Sequence, residues 1–91
     1  MKTIYKYPLY IVDEQTVPLP DNAQPLSVQM QNGELYMWAL VDSQRASNPC
    51  RVRIFGTGNP VVLDGNWQFV ETVQERMFVW HVFVELHNET V

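Results

Sequence analysis

The feature that most constrains this fold is an Asn-Gly pair between two runs of alternating side chains. Asn32-Gly33 lies inside VQMQNGELYMWALV, residues 28–41. A two-residue Asn-Gly loop between such runs is the strongest short-range signal for a β-hairpin. The predicted register pairs Gln31 with Glu34 and, further back, Leu26 with Ala39. One face of this hairpin is then wholly apolar, which specifies the register strongly; it holds Leu26, Val28, Met30, Leu35, Met37, Ala39 and Val41.

The opposite face of the same hairpin is unusual because its second strand also carries large apolar side chains. These are Tyr36, Trp38 and Leu40. A sheet that faces water on one side normally places polar residues there. We therefore expect one of two arrangements: either a second layer covers this face, or it is an exposed patch used for recognition.

The last third of the chain predicts a second hairpin. Trp67–Val73 alternates, a turn is expected near Gln74-Glu75-Arg76, and the chain returns as MFVWHVFVEL, residues 77–86. This final run is apolar on both faces, which is typical of a central strand covered twice. Its β-branched and aromatic residues favour a strand over a helix.

Turn residues break the rest of the chain into short pieces rich in β-forming side chains. We predict a strand at 2–9, an edge strand between prolines within 13–22, a polar loop at 42–49, a strand at 51–55, a tight loop at 56–60 and a brief strand at 61–63. The fold class is mostly β, a small antiparallel sandwich or squashed barrel of about six to seven strands. We expect residues 1–86 to form a single domain and residues 87–91 to form a short flexible tail.

Composition excludes several classes of protein. A chain of 91 residues is one domain. Its net charge of −4 argues against general nucleic-acid binding, which needs a basic surface. The single cysteine, Cys50, cannot form an intrachain disulfide, and the sequence predicts neither a signal peptide nor a bilayer-spanning stretch. We expect a cytoplasmic protein, in the host cytoplasm if it is phage-encoded, that does not bind membranes.

No group of residues indicates catalysis. His81 is alone on an apolar face of the last strand, and Cys50 has no adjacent base, so neither has the partners that acid–base or nucleophilic chemistry needs. No cluster of ligands predicts a metal site. The sequence predicts a protein that is not an enzyme and uses no cofactor.

Two groups of residues are candidates for binding. The first, for a protein partner, consists of aromatic and arginine side chains of the kind enriched at interface hot spots: Tyr36, Trp38, Leu40, Arg51, Arg53 and Phe55. The second would hold an anionic small ligand such as a nucleotide, because arginine suits phosphate and glycine loops admit anions. It combines Arg45 with the loop Gly56, Thr57, Gly58 and Asn59.

Four segments together resemble a family of small uncharacterised proteins of about this length from bacterial and bacteriophage genomes. They are MKTIYKYPL, VQMQNGELYMWALVD, RIFGTGNP and MFVWHVFVEL. The resemblance covers roughly residues 1–86, and this chain departs from it in a less acidic loop at 43–49. It implies a small cytosolic accessory protein, often encoded by a phage or prophage, and it carries over no activity or functional residue.

These observations favour a non-enzymatic binding protein that docks on a host or phage protein, for example a defence or replication factor. We also expect the chain to form a homodimer, through an aromatic face or a free strand edge. The alternative hypothesis is a protein that binds or sequesters an anionic nucleotide.

Overall fold

The computed structural model describes residues 1–86, which fold into seven strands in two antiparallel sheets. Sheet A has the order β1-β4-β3 and sheet B the order β2-β5-β7-β6. Residues 1–86 contain no helix, and so none that is long and apolar enough to cross a membrane. The strands are β1 Lys2–Leu9, β2 Glu14–Pro20, β3 Gln24–Gln31, β4 Glu34–Asp42, β5 Ser47–Gly56, β6 Trp67–Glu75 and β7 Phe78–Glu85.

The Asn-Gly hairpin forms as predicted over most of its length. β3 and β4 pair from Gln31 opposite Glu34 to Ser27 opposite Trp38. Beyond that point a β-bulge shifts the register, so that Pro25 rather than Leu26 lies opposite Ala39. The prediction that Leu26 joins the apolar face is therefore wrong, and Leu26 is exposed. A bulge places two residues opposite one, which the alternation of side chains alone does not reveal.

The second hairpin consists of β6 and β7, and its turn lies one to two residues later than expected. Glu75 pairs with Phe78, so Arg76 and Met77 form the turn, and Arg76 has a φ of 55°. A bulge between Phe69 and Glu71 changes the register of β6 part-way along. β7 lies between β5 and β6, the central position predicted for a strand apolar on both faces.

Two expectations for the middle of the chain are wrong. The polar loop before β5 is shorter than predicted, because Ser47 to Pro49 already pair with β2. Residues 61–63 are not a strand. They follow Pro60 and pass near the side chain of Arg53, which donates a hydrogen bond to the Val62 carbonyl at 2.6 Å. This segment therefore lies against a side chain of sheet B, without a strand to pair with.

The main core lies between the two sheets. Its buried members include residues from both sheets, namely Leu9, Val17, Leu19, Val28, Leu35, Met37, Cys50, Val52, Ile54, Val73, Val82 and Val84. The sheets approach each other along β3 and β6, where the Ser27 hydroxyl donates to a Glu71 carboxylate oxygen at 3.4 Å. The molecule is a compact all-β sandwich that does not close into a barrel, as the fold-class prediction allowed.

Candidate functional site

The candidate site is the outer face of sheet A, which we call the open face. Its central row comes from β4 and contains Tyr36, Trp38 and Leu40. Residues that pair across antiparallel strands share a face, so the partners of this row also belong to it. On the β1 side these are Ile4, Lys6 and Pro8, and on the β3 side Ser27 and Gln29; Gln31 lies one pair further along β3.

The aromatic row is organised around one lysine. The Lys6 ammonium lies 4.0 Å from the centroid of the Tyr36 ring and 5.9 Å from that of the Trp38 ring. The two rings are 6.2 Å apart and tilted by 57°. Lys6 also donates a hydrogen bond to the side-chain oxygen of Gln31. A cation over aromatic faces is attracted by their quadrupoles. The two rings and Gln31 therefore hold the Lys6 ammonium in place over the sheet.

No second layer of strands covers the open face in residues 1–86. Tyr36, Trp38 and Leu40 are half-buried against their neighbours within the sheet, and Ile4 beside them is 55% exposed. Of the two arrangements expected from the sequence, the second layer is absent from residues 1–86, and the aromatic row is partly accessible rather than fully exposed. The face combines aromatic rings, amide side chains and an ammonium group, which suits contact with another molecule.

The outer face of sheet B holds the predicted arginines, and both are already paired. Arg51 donates to Glu14 at 2.8 Å and to Glu85 at 3.3 Å, and its guanidinium lies 5.1 Å from the Trp67 ring centroid. Arg53 lies 3.7 Å from the same Glu14 oxygen. The hydrogen bond from Arg51, assisted by the charges of both arginines, lowers the pKa of the Glu14 carboxyl below its usual value. These charges already have partners within the fold.

Phe55 is buried on this same face rather than exposed for binding. Its ring lies 5.8 Å from that of Phe83, which in turn lies 5.4 Å from that of Phe69. The connection from β5 to β6, residues 57–66, is fastened to sheet B by hydrogen bonds at Thr57, Val62 and Asp64. Phe55 therefore belongs to a small aromatic cluster on the face of sheet B to which this connection is fastened.

Three residues of the predicted ligand loop, Gly56, Thr57 and Gly58, have structural roles. Gly58 has a φ of +91°, which favours glycine. Gly56 has ordinary backbone geometry, but a Cβ there would meet the Trp80 ring at 3.2 Å. The Thr57 hydroxyl lies 2.7 Å from His81 Nε2, and the Thr72 hydroxyl lies 2.9 Å from Nδ1. Because hydroxyls can both donate and accept, both ring nitrogens of His81 are satisfied.

The structure does not bring Arg45 to this loop. Arg45 precedes β5, whereas Gly56 ends it, and a strand of 10 residues spans roughly 30 Å. Arg45 lies instead beside Asp42 and Lys2, with which it lines a small cavity of 170 Å³. The nucleotide hypothesis stays a prediction that the geometry does not favour.

Cys50 is buried in the main core, where its thiol donates to the Glu85 carbonyl at 3.2 Å. Burial, with a smaller contribution from the Glu85 charge, raises the pKa of the thiol to about 11. A thiol of this kind is not the activated thiolate that a nucleophile requires. Within residues 1–86 no three His, Cys, Asp or Glu side chains are grouped in a way that could hold a metal ion.

Comparison with known proteins places the chain in a family. The model of a domain of unknown function, DUF7352, matches residues 1–91. The chain belongs to the DUF7352 family. No curated protein and no solved structure matches it. Membership confirms the part of the resemblance that predicted an uncharacterised domain family, whereas a phage or bacterial source stays a prediction.

Sequence reasoning found the central row of the open face but missed its flanks. Ile4 and Lys6 come from β1, whose pairing with β4 joins segments about thirty residues apart in the chain. Alternation within β1 does place Ile4 and Lys6 on one face. Nothing in the sequence, however, indicates which strand lies beside them, so this signal could not locate the site.

Proposed function

We propose that this chain is a non-enzymatic docking domain that binds a partner protein through the open face of sheet A. The observation that carries the proposal is the half-buried row of Tyr36, Trp38 and Leu40, which no second layer in residues 1–86 covers, with Lys6 held over two of its rings. Tyrosine and tryptophan are the residues that most often dominate binding at protein interfaces.

The contrast with the other candidate residues strengthens this choice. Arg51 and Arg53 already pair with carboxylates, and Phe55 is buried. Within residues 1–86 the rings of the open face contact each other and Lys6, and they form no ion pair or enclosed cluster. A partner would therefore gain the burial of half-exposed aromatic rings without first breaking ion pairs of the fold, and such burial is the main favourable contribution to association.

The biological setting that we propose is a small accessory protein of a phage or prophage that docks on a host or phage protein, such as a defence or replication factor. The resemblance described from the sequence supports this setting. The domain would then act by occupying a surface of its target, which needs shape and affinity but no catalytic group.

The test is affinity capture from bacterial lysate, comparing the wild-type chain with the double variant Tyr36→Ala, Trp38→Ala. The matched control is Phe69→Ala, which removes a half-exposed aromatic ring from the outer face of sheet B. We expect a protein that the wild type and the control both retain and that the double variant loses, followed by direct binding of that purified protein. If the double variant is folded by circular dichroism and retains the same protein, the open face is not the docking surface.

A further inference from the structure

The edge strands of the two sheets are not equally available for pairing. An edge strand presents unpaired N–H and C=O groups to which another extended chain can add. The edge strands β3 and β6 lie in contact with each other, so each partly covers the other's free edge. β2 contains Pro18 and Pro20, neither of which can donate a hydrogen bond. β1 is different, because Lys2 to Tyr7 contains no proline and β4 is its one neighbour in the sheet.

β1 also shows apolar side chains on both of its faces. On the open face Ile4 is 55% exposed, and on the inner face Tyr5 is 43% exposed although it points to the side of the core. Tyr5 makes an edge-to-face contact with Tyr7, at 6.4 Å between centroids. Exposed apolar groups on both faces of one edge strand indicate that sheet A extends past sheet B here, and that one more strand would cover both faces at once.

The charge of this edge is unlike that of the rest of the protein. Both lysines of the chain, Lys2 and Lys6, lie in β1 on the open face, in a protein whose net charge is −4. The ion pairs of residues 1–86 use Arg51, Arg53 and the terminal amine, and neither lysine lies within 4.0 Å of a carboxylate. Asp42 lies opposite Lys2 in the ladder but pairs with the terminal amine, and the Lys6 ammonium reaches Gln31 of β3 rather than a carboxylate. The two lysines of the edge strand are therefore without an ion-pair partner in residues 1–86.

From these three observations we infer that the β1 edge accepts an extended acidic peptide strand of the partner protein, which joins sheet A as a fourth strand. This inference rests on the proposed docking function and names the chemistry of the partner. Main-chain hydrogen bonds would supply affinity, and the alternating side chains of the peptide would supply specificity.

The spacing of the lysines fixes the pattern that the peptide needs. Lys2 and Lys6 are four residues apart, and Ile4 lies between them on the same face. The complementary strand therefore carries acidic residues four positions apart on one face. Its other face is apolar, to cover Tyr5 and Tyr7. A second copy of β1 does not fit this pattern, because it brings two more lysines to a positively charged edge, and like charges across a ladder are destabilising.

The test uses the synthetic hexapeptide EVTVEV between flanking Gly-Ser pairs, with binding measured by fluorescence anisotropy. Its charge-swapped form, KVTVKV, is the specificity control. A third form, N-methylated at its four central residues, cannot form ladder hydrogen bonds. We expect the wild-type protein to bind EVTVEV about tenfold more tightly than KVTVKV, since two exposed ion pairs replace two repulsions, and to lose binding of the N-methylated form.

The deciding variant is the double substitution Lys2→Glu, Lys6→Glu, which should reverse the preference and bind KVTVKV more tightly. That gain shows that the variant is folded. Arg76→Glu, which lowers the net charge at a distant turn, should leave the preference unchanged. An unchanged preference in the double variant, or equal binding of the N-methylated peptide, overturns the inference.

Failure of this inference is distinguishable from failure of the docking function. A partner captured from lysate that is lost in Tyr36→Ala, Trp38→Ala but retained in Lys2→Glu, Lys6→Glu supports docking on the open face and rejects strand addition. A partner retained by both double variants rejects the docking surface itself. Hydrogen exchange adds an independent readout, because strand addition must protect the alternate amides between Thr3 and Tyr7 that do not already bond to β4. Contact with the face alone leaves these edge amides exchanging as before.

Discussion

The two sheets of this domain treat their outer faces in opposite ways. On sheet B, Phe55 is buried, Arg51 and Arg53 are paired with Glu14, and the connection to β6 is fastened by hydrogen bonds from Arg53 and Trp67. On sheet A the aromatic row is half-buried by its neighbours in the sheet and by Lys6, and no segment of residues 1–86 is fastened over it. Aromatic and basic side chains thus stabilise the fold on the outer face of sheet B, whereas on the outer face of sheet A they remain accessible to a partner.

The difference comes from what the chain places over each face. The long connection between β5 and β6 passes along sheet B, whereas β3 and β4 are joined by a two-residue turn that leaves nothing to cover sheet A. The buried aromatic cluster therefore lies on the sheet to which the long connection is fastened, and the half-buried row lies on the sheet without one. Matched substitutions on the two faces test this distinction.

The largest effect should come from Phe55→Ala, compared with Trp38→Ala. Removing a buried phenylalanine leaves a cavity and costs about 3 to 5 kcal/mol of unfolding free energy. The half-buried Trp38 should cost less, about 1 to 2 kcal/mol, because its ring lies on an uncovered face and its removal leaves no enclosed cavity. Urea denaturation of both variants measures the difference. Equal losses would show that the open face is as much a part of the folded core as the covered one.

The next effect concerns the start of the connection over sheet B. Gly56→Ala should cost about 1 to 3 kcal/mol, since its Cβ would meet Asn59 Nδ2 at 3.0 Å and Trp80 at 3.2 Å. Gly58→Ala is the matched control, with no atom within 4 Å and a φ of +91°, so that its cost comes from the backbone alone. A double-mutant cycle with Trp80→Leu should show coupling for Gly56 and none for Gly58. Coupling at neither glycine would exclude the contact with Trp80 as the reason for Gly56.

Much of the fold could be predicted from the sequence, because alternation and turn chemistry are local signals. Asn32-Gly33 set the register of β3 and β4 from Gln31 to Ser27, and the two-sided apolar pattern of β7 indicated its central position. The signal failed where the ladder departs from regularity. The bulge at Leu26 and the change of register after Phe69 add a residue to one strand, which shifts every later side chain to the other face.

The site could be predicted only in part, because it depends on contacts between distant segments. Tyr36 and Trp38 were recognised from their place in a strong hairpin. Arg53 and Phe55 looked equivalent to them, since sequence does not show that residues 57–66 return to cover sheet B. Lys6 was missed for a related reason: its role follows from the pairing of β1 with β4. Exposure is a property of the packed layers, and no local pattern specifies it.

A smaller effect is expected from the two threonines that hold His81. Thr57→Val and Thr72→Val each remove a hydroxyl from a ring nitrogen and should cost about 1 kcal/mol. Only Thr57→Val should also speed hydrogen exchange in residues 57–66, because Thr57 starts the connection whereas Thr72 lies within β6. If both variants loosen the connection equally, His81 does not fasten it through Thr57.

The smallest effect should be the pH dependence of the ion pairs on sheet B. Because the folded pKa of Glu14 is lowered by Arg51, its stabilising contribution is present above the unfolded pKa and is lost as the pH falls through the folded one. The melting temperature of the wild type should therefore fall more steeply than that of Glu14→Gln as the pH is lowered below about 4.5. Glu34→Gln, at the edge of the Asn-Gly turn and in no ion pair of residues 1–86, is the matched control and should follow the wild-type profile. A Glu14→Gln profile parallel to that of the wild type would mean that the ion pairs make no net contribution, and that the cover of sheet B depends on Phe55 and its aromatic neighbours alone.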